Sequence, residues 1–92
     1  MRIVLAERFQ RDVKALSEDR LSAVFQSILS LPKAMGAPHI HSGLGVRKIH
    51  RSGIWEARVG LGLRLVFAVE DHDITLVRVG THEEIQRYLR DL

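Results

Sequence analysis

The sequence predicts an α+β fold: an N-terminal strand and a helix hairpin packed on a mainly antiparallel sheet, with a C-terminal helix. Three observations predict it. Apolar residues recur with helical spacing through the first third of the chain, alternate with period two after about residue 45, and return to helical spacing behind a capping signature at Thr81. The expected order is β-α-α-β-β-β-β-α. At 92 residues there is room for one core, so residues 1–92 are read as a single domain with no repeat or linker.

Each element has its own local cause. Residues 2–5 form a short apolar strand, and Phe9, Val13 and Leu16 then recur at helical spacing, which predicts a first helix over 6–17. Ser17, Glu18 and Asp19 supply a cap and first-turn acids for a second helix. Its stripe Leu21, Val24, Phe25, Ile28, Leu29 follows the i, i+3, i+4, i+7, i+8 pattern of one buried face. Pro32, Gly36 and Pro38 interrupt that pattern, so residues 32–43 are expected to be a long loop. Strands are predicted at 46–51, 54–59, 63–69 and 73–79, separated by Arg51-Ser52-Gly53, Gly60-Leu61-Gly62 and Glu70-Asp71-His72. Turns this short imply an antiparallel meander. Thr81 followed three residues later by Glu84 matches a capping box, and it opens a last helix that ends near Arg90.

Composition removes several function classes. With 46% hydrophobic and 27% charged residues the chain is a folded, non-membrane protein, and no apolar run approaches the roughly 20 residues that span a bilayer. An acid at Glu7 and the lack of a small-residue cleavage site argue against a secretory leader, so a cytoplasmic protein is expected. The absence of cysteine removes disulfides, thiolate nucleophiles and thiolate metal sites. His39 and His41 have no matched second pair of ligands, so no metal or other cofactor is expected.

Charge is concentrated where the strands are. Arg47, Lys48, Arg51, Arg58 and Arg64 face a single acid, Glu56, in the segment from residue 47 to 64, a pattern suited to a phosphodiester backbone. If Arg51 to Gly53 and Gly60 to Gly62 are three-residue connections, His50 pairs with Ile54, Lys48 with Glu56, Val59 with Leu63, and Arg58 with Arg64. Lys48, Glu56, Arg58 and Arg64 then share one face, while Trp55, Ala57, Leu65 and Phe67 take the other, under the helix hairpin. Facing arginines repel unless an anion lies between them, and that anion is either Glu56 or a bound phosphate. Glu56 is read as a cross-strand partner of Lys48 ahead of a general base. His82 stands at the start of the last helix, where anions are favoured, and an imidazole there suits acid or base work on a phosphate. Tyr88, about two turns on, either packs that helix or stacks on a base. Arg78 alternates away from Val77 and Val79 and is read as an ion-pair or partner-contact residue.

The segments SGIW, LRLVFAV and VGTHEEIQRYL, with the element order of the first half, resemble the RelE/ParE superfamily of toxins from type II toxin-antitoxin modules. The resemblance is particularly to RelE- and YoeB-like mRNA interferases. It implies a RelE-like fold and a ribosome-dependent endoribonuclease that cleaves messenger in the A site by attack of a 2′-hydroxyl on the adjacent phosphate, with no metal. Arg64 matches the family arginine that stabilises the scissile phosphate, and His82 aligns with the acid or base histidine of YoeB-like members. Lys48 and Arg58 correspond to basic positions of the catalytic face, and Tyr88 to a tyrosine of the last helix in RelE-like members. Arg47, Lys48, Arg51, Arg58 and Arg64 are the expected RNA-binding residues. The chain departs from the pattern at two places: the YoeB-like acid falls near Gly45, which carries no proton-transfer group, and Glu56 replaces a basic residue.

Three functions therefore compete: a ribosome-dependent nuclease, a ParE-like inhibitor that binds DNA gyrase, and a non-catalytic RNA-binding relative. His82 and Tyr88 favour the first. The partners the resemblance implies are a cognate antitoxin, in a toxin-antitoxin hetero-oligomer, together with mRNA and the ribosome, and no membrane.

Overall fold

A computed structural model describes residues 2–36 and 45–92. Strand β1 (Arg2–Leu5) leads into α1 (Glu7–Lys14) and α2 (Glu18–Gly36). Four strands follow, β2 (Arg47–His50), β3 (Ile54–Val59), β4 (Leu63–Glu70) and β5 (Asp73–Thr81), and α3 (His82–Arg90) ends the order. The sheet runs β1-β5-β4-β3-β2, antiparallel except where β1 lies parallel to β5. The predicted α+β order is the observed one.

The helix hairpin covers one face of this sheet. Phe9, Val24, Ile28 and Leu31 from the helices meet Ala57, Val59, Leu63, Leu65, Phe67, Ile74, Leu76 and Val79, with Trp55 packed at the margin. Helix α1 is shorter than expected. The amides of Ala15 and Leu16 bond back three residues, to Asp12 and Val13, tightening the last turn before Ser17 accepts the Arg20 amide as the cap of α2.

The expected loop from Pro32 is corrected at its start: α2 continues through Pro32 to Gly36. Proline removes one helical hydrogen bond and crowds the carbonyl four residues earlier, a cost of about 3 kcal/mol. Ala34, buried, and Met35, packed against the core, are the compensation, because ending the helix at Pro32 would pull them away. The remainder of that loop, with His39 and His41, lies outside the described residues.

The hairpins set the parity of the sheet. His50 pairs with Ile54 around a turn in which Gly53 has φ of 86°, and Val59 pairs with Leu63 around Gly60 at φ 61°. Two irregularities then redirect side chains. In β5, Arg78 pairs with Val66 but Leu76 with Phe67, so Val77 is an extra residue. This keeps both Leu76 and Val79 in the core and sends Arg78 to the other side. In β2 the register shifts between Lys48 and His50.

Helix α3 occupies part of the second face, where Ile85 and Val66 are fully buried. Its start is the predicted capping box: the Glu84 amide donates to Thr81 Oγ1 at 3.2 Å and the Thr81 amide to Glu84 Oε1 at 2.9 Å. Beyond the end of β1, the free edge of β5 is closed by α1. Asp12 Oδ2 accepts from the Val79 amide at 3.0 Å and from Arg78 Nε at 2.7 Å, so strand edge, helix and arginine share one carboxylate. Arg78 also lies 5.5 Å over the ring of Tyr88. The expectation that Arg78 serves an ion pair is met. No helix among the described residues is long and apolar enough to cross a membrane.

Candidate functional site

The part of the second face that α3 leaves uncovered carries the basic residues. Adjacent strands place Arg58 opposite Arg64, and Arg47 opposite Glu56, which in turn faces Val66. Residues paired on the same side of the pleat project together. Gly45, Val46, Arg47, Glu56, Arg58 and Arg64 line a hollow of about 410 Å³. A second hollow of about 350 Å³ begins at the same Arg47 and Glu56 and extends past Lys48 and Ile49 to His82, Ile85, Gln86 and Leu89 of α3. The two adjoin across Arg47 and Glu56, and together they are the groove of this face.

Glu56 is the floor of that groove and the one buried charged residue among those described, 4% exposed. Its Oε1 lies 3.4 Å from Arg47 Nε and 3.7 Å from Arg64 Nε. One oxygen is thus shared by two guanidinia, at distances longer than the 2.7–2.9 Å of a tight charge-assisted bond. Arg64 is further fixed by donating from Nη1 to the Leu63 carbonyl at 3.3 Å. The guanidinium of Arg58 reaches no carboxylate within 4 Å among the described residues. One buried negative charge therefore stands against three arginines, and the surplus is positive. Such a groove attracts an anion and offers it planar, multidentate donors.

Lys48 was expected opposite Glu56, but the shift in β2 sets Lys48 against Trp55 and gives Glu56 to Arg47. Nothing in the residues between Lys48 and His50 announces a bulge, because parity arguments assume one residue per position. Lys48 still borders the hollow that reaches His82. The pairing of Arg58 with Arg64, and the separation of Glu56, Arg58 and Arg64 from Ala57, Leu65 and Phe67, are as expected.

The other candidates separate by position. His82 is exposed on the rim of the second hollow, which it shares with Arg47 and Lys48, while Arg58 and Arg64 line the first. Tyr88 is half-buried beneath Arg78 and borders neither of these two hollows. Arg51 is exposed in the turn between β2 and β3, also away from both. His50 is tied into that turn, its Nδ1 2.6 Å from Ser52 Oγ and accepting the Ser52 amide. Among the described residues there is no group of three or more His, Cys, Asp or Glu side chains placed to hold a metal ion.

Comparisons with known proteins converge. Residues 3–86 match the model of the family described as ParE toxin of type II toxin-antitoxin system, parDE. No curated protein matches the chain by sequence. Among solved structures, a copper-bound mutant toxin from Helicobacter pylori superposes with a TM-score of 0.70 at 22% identity, over 92% of this chain and 98% of that one. The RelB-RelE antitoxin-toxin complex from Methanococcus jannaschii gives 0.65 at 20% identity, over 92% and 96%. A YoeB/ParE toxin from Agrobacterium tumefaciens gives 0.67 at 19% identity, over 89% and 99%. At these identities the structural likeness concerns the fold.

Proposed function

The chain belongs to the ParE toxin family of type II toxin-antitoxin systems, within the RelE/ParE superfamily, and on that premise we propose that it is a metal-independent endoribonuclease acting on messenger in the ribosomal A site. The observation that carries the proposal is the groove: Arg47, Arg58 and Arg64 around a single buried acid, adjoining across Arg47 and Glu56 a hollow bordered by His82.

The chemistry follows from those positions. A phosphodiester seated between Arg58 and Arg64 has its negative charge balanced where it grows, as the neighbouring 2′-hydroxyl adds to phosphorus. That hydroxyl gives up its proton, the bond to the 5′-oxygen breaks, and the departing oxygen takes a proton. The products are a 2′,3′-cyclic phosphate and a 5′-hydroxyl. His82 is the imidazole within the groove's reach for one of the two proton transfers. Glu56, held by Arg47 and Arg64, keeps Arg64 in place against repulsion from its neighbours. Lys48 and Arg47 bind the flanking backbone, and Arg51 contacts RNA further out. Tyr88 acts through packing on Arg78.

A cognate antitoxin is the expected partner, in a hetero-oligomer that silences the toxin, with the cytoplasm as the site of action. A second reading has a specific observation behind it. The matching family is described by the parDE system, and Gly45 offers no acid, so inhibition of gyrase by protein binding is the alternative.

Messenger-programmed bacterial ribosomes, with mapping of 3′ ends and naked RNA as control, decide between them. Cleavage within A-site codons is expected for wild type. Arg64→Ala removes a transition-state donor and should lower the rate about 10²–10³-fold. His82→Ala removes a proton-transfer group and should lower it about 10²–10⁴-fold. Intact messenger on active ribosomes, with trapping of gyrase on DNA, would replace the nuclease with the second reading.

A further inference from the structure

Arg58 owes its place in the groove to the residue it lies against. Gly45 immediately precedes Val46 and β2, has φ of 60°, and lines the same hollow as Arg58 and Arg64. A Cβ built on Gly45 would overlap the Arg58 guanidinium, closing on Nε and coming within 2.9 Å of both Cζ and Nη2. Real Cβ atoms essentially never stand so close to a neighbour. Any side chain at position 45 must therefore push the guanidinium away from the backbone it now covers. Arg58 is exposed and faces Arg64 across the strands with no carboxylate within 4 Å among the described residues, so the bare surface of Gly45 is what its guanidinium packs against.

We infer that Gly45 is a positioning residue: by lacking a side chain it seats the Arg58 guanidinium opposite Arg64, and the pair forms a clamp for one phosphoryl group. This rests on the reading of the groove as a phosphate site. It also gives a physical reason for glycine there. The space that an acid would occupy is filled by Arg58.

Positive φ alone would penalise a substitution, so the test needs a control for strain. Gly60 supplies it, with φ of 61° and nothing within 4 Å of a built Cβ. Gly45→Ala, Gly60→Ala, Arg58→Ala and the double variant Gly45→Ala/Arg58→Ala are compared with wild type in two measurements. The first is the NMR signal of Arg58 Nε–Hε in ligand-free protein. The second is the affinity for inorganic phosphate and for a short single-stranded RNA.

In Gly45→Ala the exposed Arg58 guanidinium should be displaced from position 45 and its signal should move from the wild-type position, and affinity should fall about tenfold or more, as in Arg58→Ala. The double variant should bind no more weakly than Arg58→Ala, because residues acting through one another are not additive. Gly60→Ala should match wild type in both measurements. An unmoved Arg58 signal in Gly45→Ala, losses that add in the double variant, or an equal loss in Gly60→Ala would each overturn the inference. Absence of anion binding by wild type would overturn the clamp. Normal binding without RNA cleavage would instead count against the nuclease alone.

Discussion

Replacing Glu56 by glutamine removes the negative charge from the floor of the groove while keeping its volume and one acceptor oxygen. In the native protein the Glu56 side chain, 6% exposed, is shared by Arg64, whose side chain is 20% exposed, and by Arg47, whose side chain is 67% exposed. Breaking a fully buried ion pair by removing one partner costs about 3–5 kcal/mol. Here both cations retain access to water, Arg47 most of all, and separations of 3.4 and 3.7 Å fall short of ideal. Screening and geometry together reduce the expected loss to about 2 kcal/mol. For a domain of this size that corresponds to a fall in Tm of about 8–16 °C. Urea unfolding followed by the single tryptophan, Trp55, which packs at the margin of the core, should show the midpoint lowered by about 1–2 M. The arginines left without their carboxylate should accept a substitute anion. Inorganic phosphate should restore more stability to Glu56→Gln than chloride at equal ionic strength does, and more than it adds to wild type. An unchanged midpoint in low salt, or equal stabilisation of both proteins by phosphate, would refute the account of Glu56 as the counter-charge of the groove.

The remaining predictions concern the supports of the site. Asp12→Ala leaves Arg78 and the Val79 amide without their acceptor, and Asp12→Asn leaves only the charge unmatched; denaturation should show losses of about 2–4 and about 1–2 kcal/mol respectively. Thr81→Ala should cost about 1 kcal/mol at neutral pH by opening the capping box that begins α3. The Thr81 backbone amide, and then its side chain, hold the Glu84 carboxyl below its ordinary value. A group whose folded value is lowered contributes stability above its unfolded value and loses it as pH falls through the folded one. The Thr81 amide survives in Thr81→Ala, so the titration is read from Glu84→Gln: the difference between wild type and Glu84→Gln should be constant near neutrality and shrink below the ordinary carboxylate range. A difference that persists unchanged in acid would exclude Glu84 as the titrating partner.

The sequence by itself determined the element order, the hairpin turns and the cap at Thr81, because each depends on contacts a few residues apart. Period 3.6 and period 2 each declare their own element, and Gly53 and Gly60 occur where the backbone must turn with positive φ. The meeting of Arg58 with Arg64 was legible for the same reason: a short turn sets the register of both strands it joins. What only the tertiary structure decided involves competition between distant parts. The helix passes through Pro32 because Ala34 and Met35 beyond it find a core to pack on, a gain invisible to local propensity. Arg47 rather than Lys48 meets Glu56 because the edge strand carries a bulge, and one extra residue reverses every side chain before it. Asp12 and Arg78, 66 residues apart, join only because β1 ends at Leu5 and leaves the edge of β5 for α1 to close. Position 45 reads as a missing acid in the sequence. In the fold the guanidinium of Arg58 fills that space, since steric exclusion acts between atoms and not between positions in a chain.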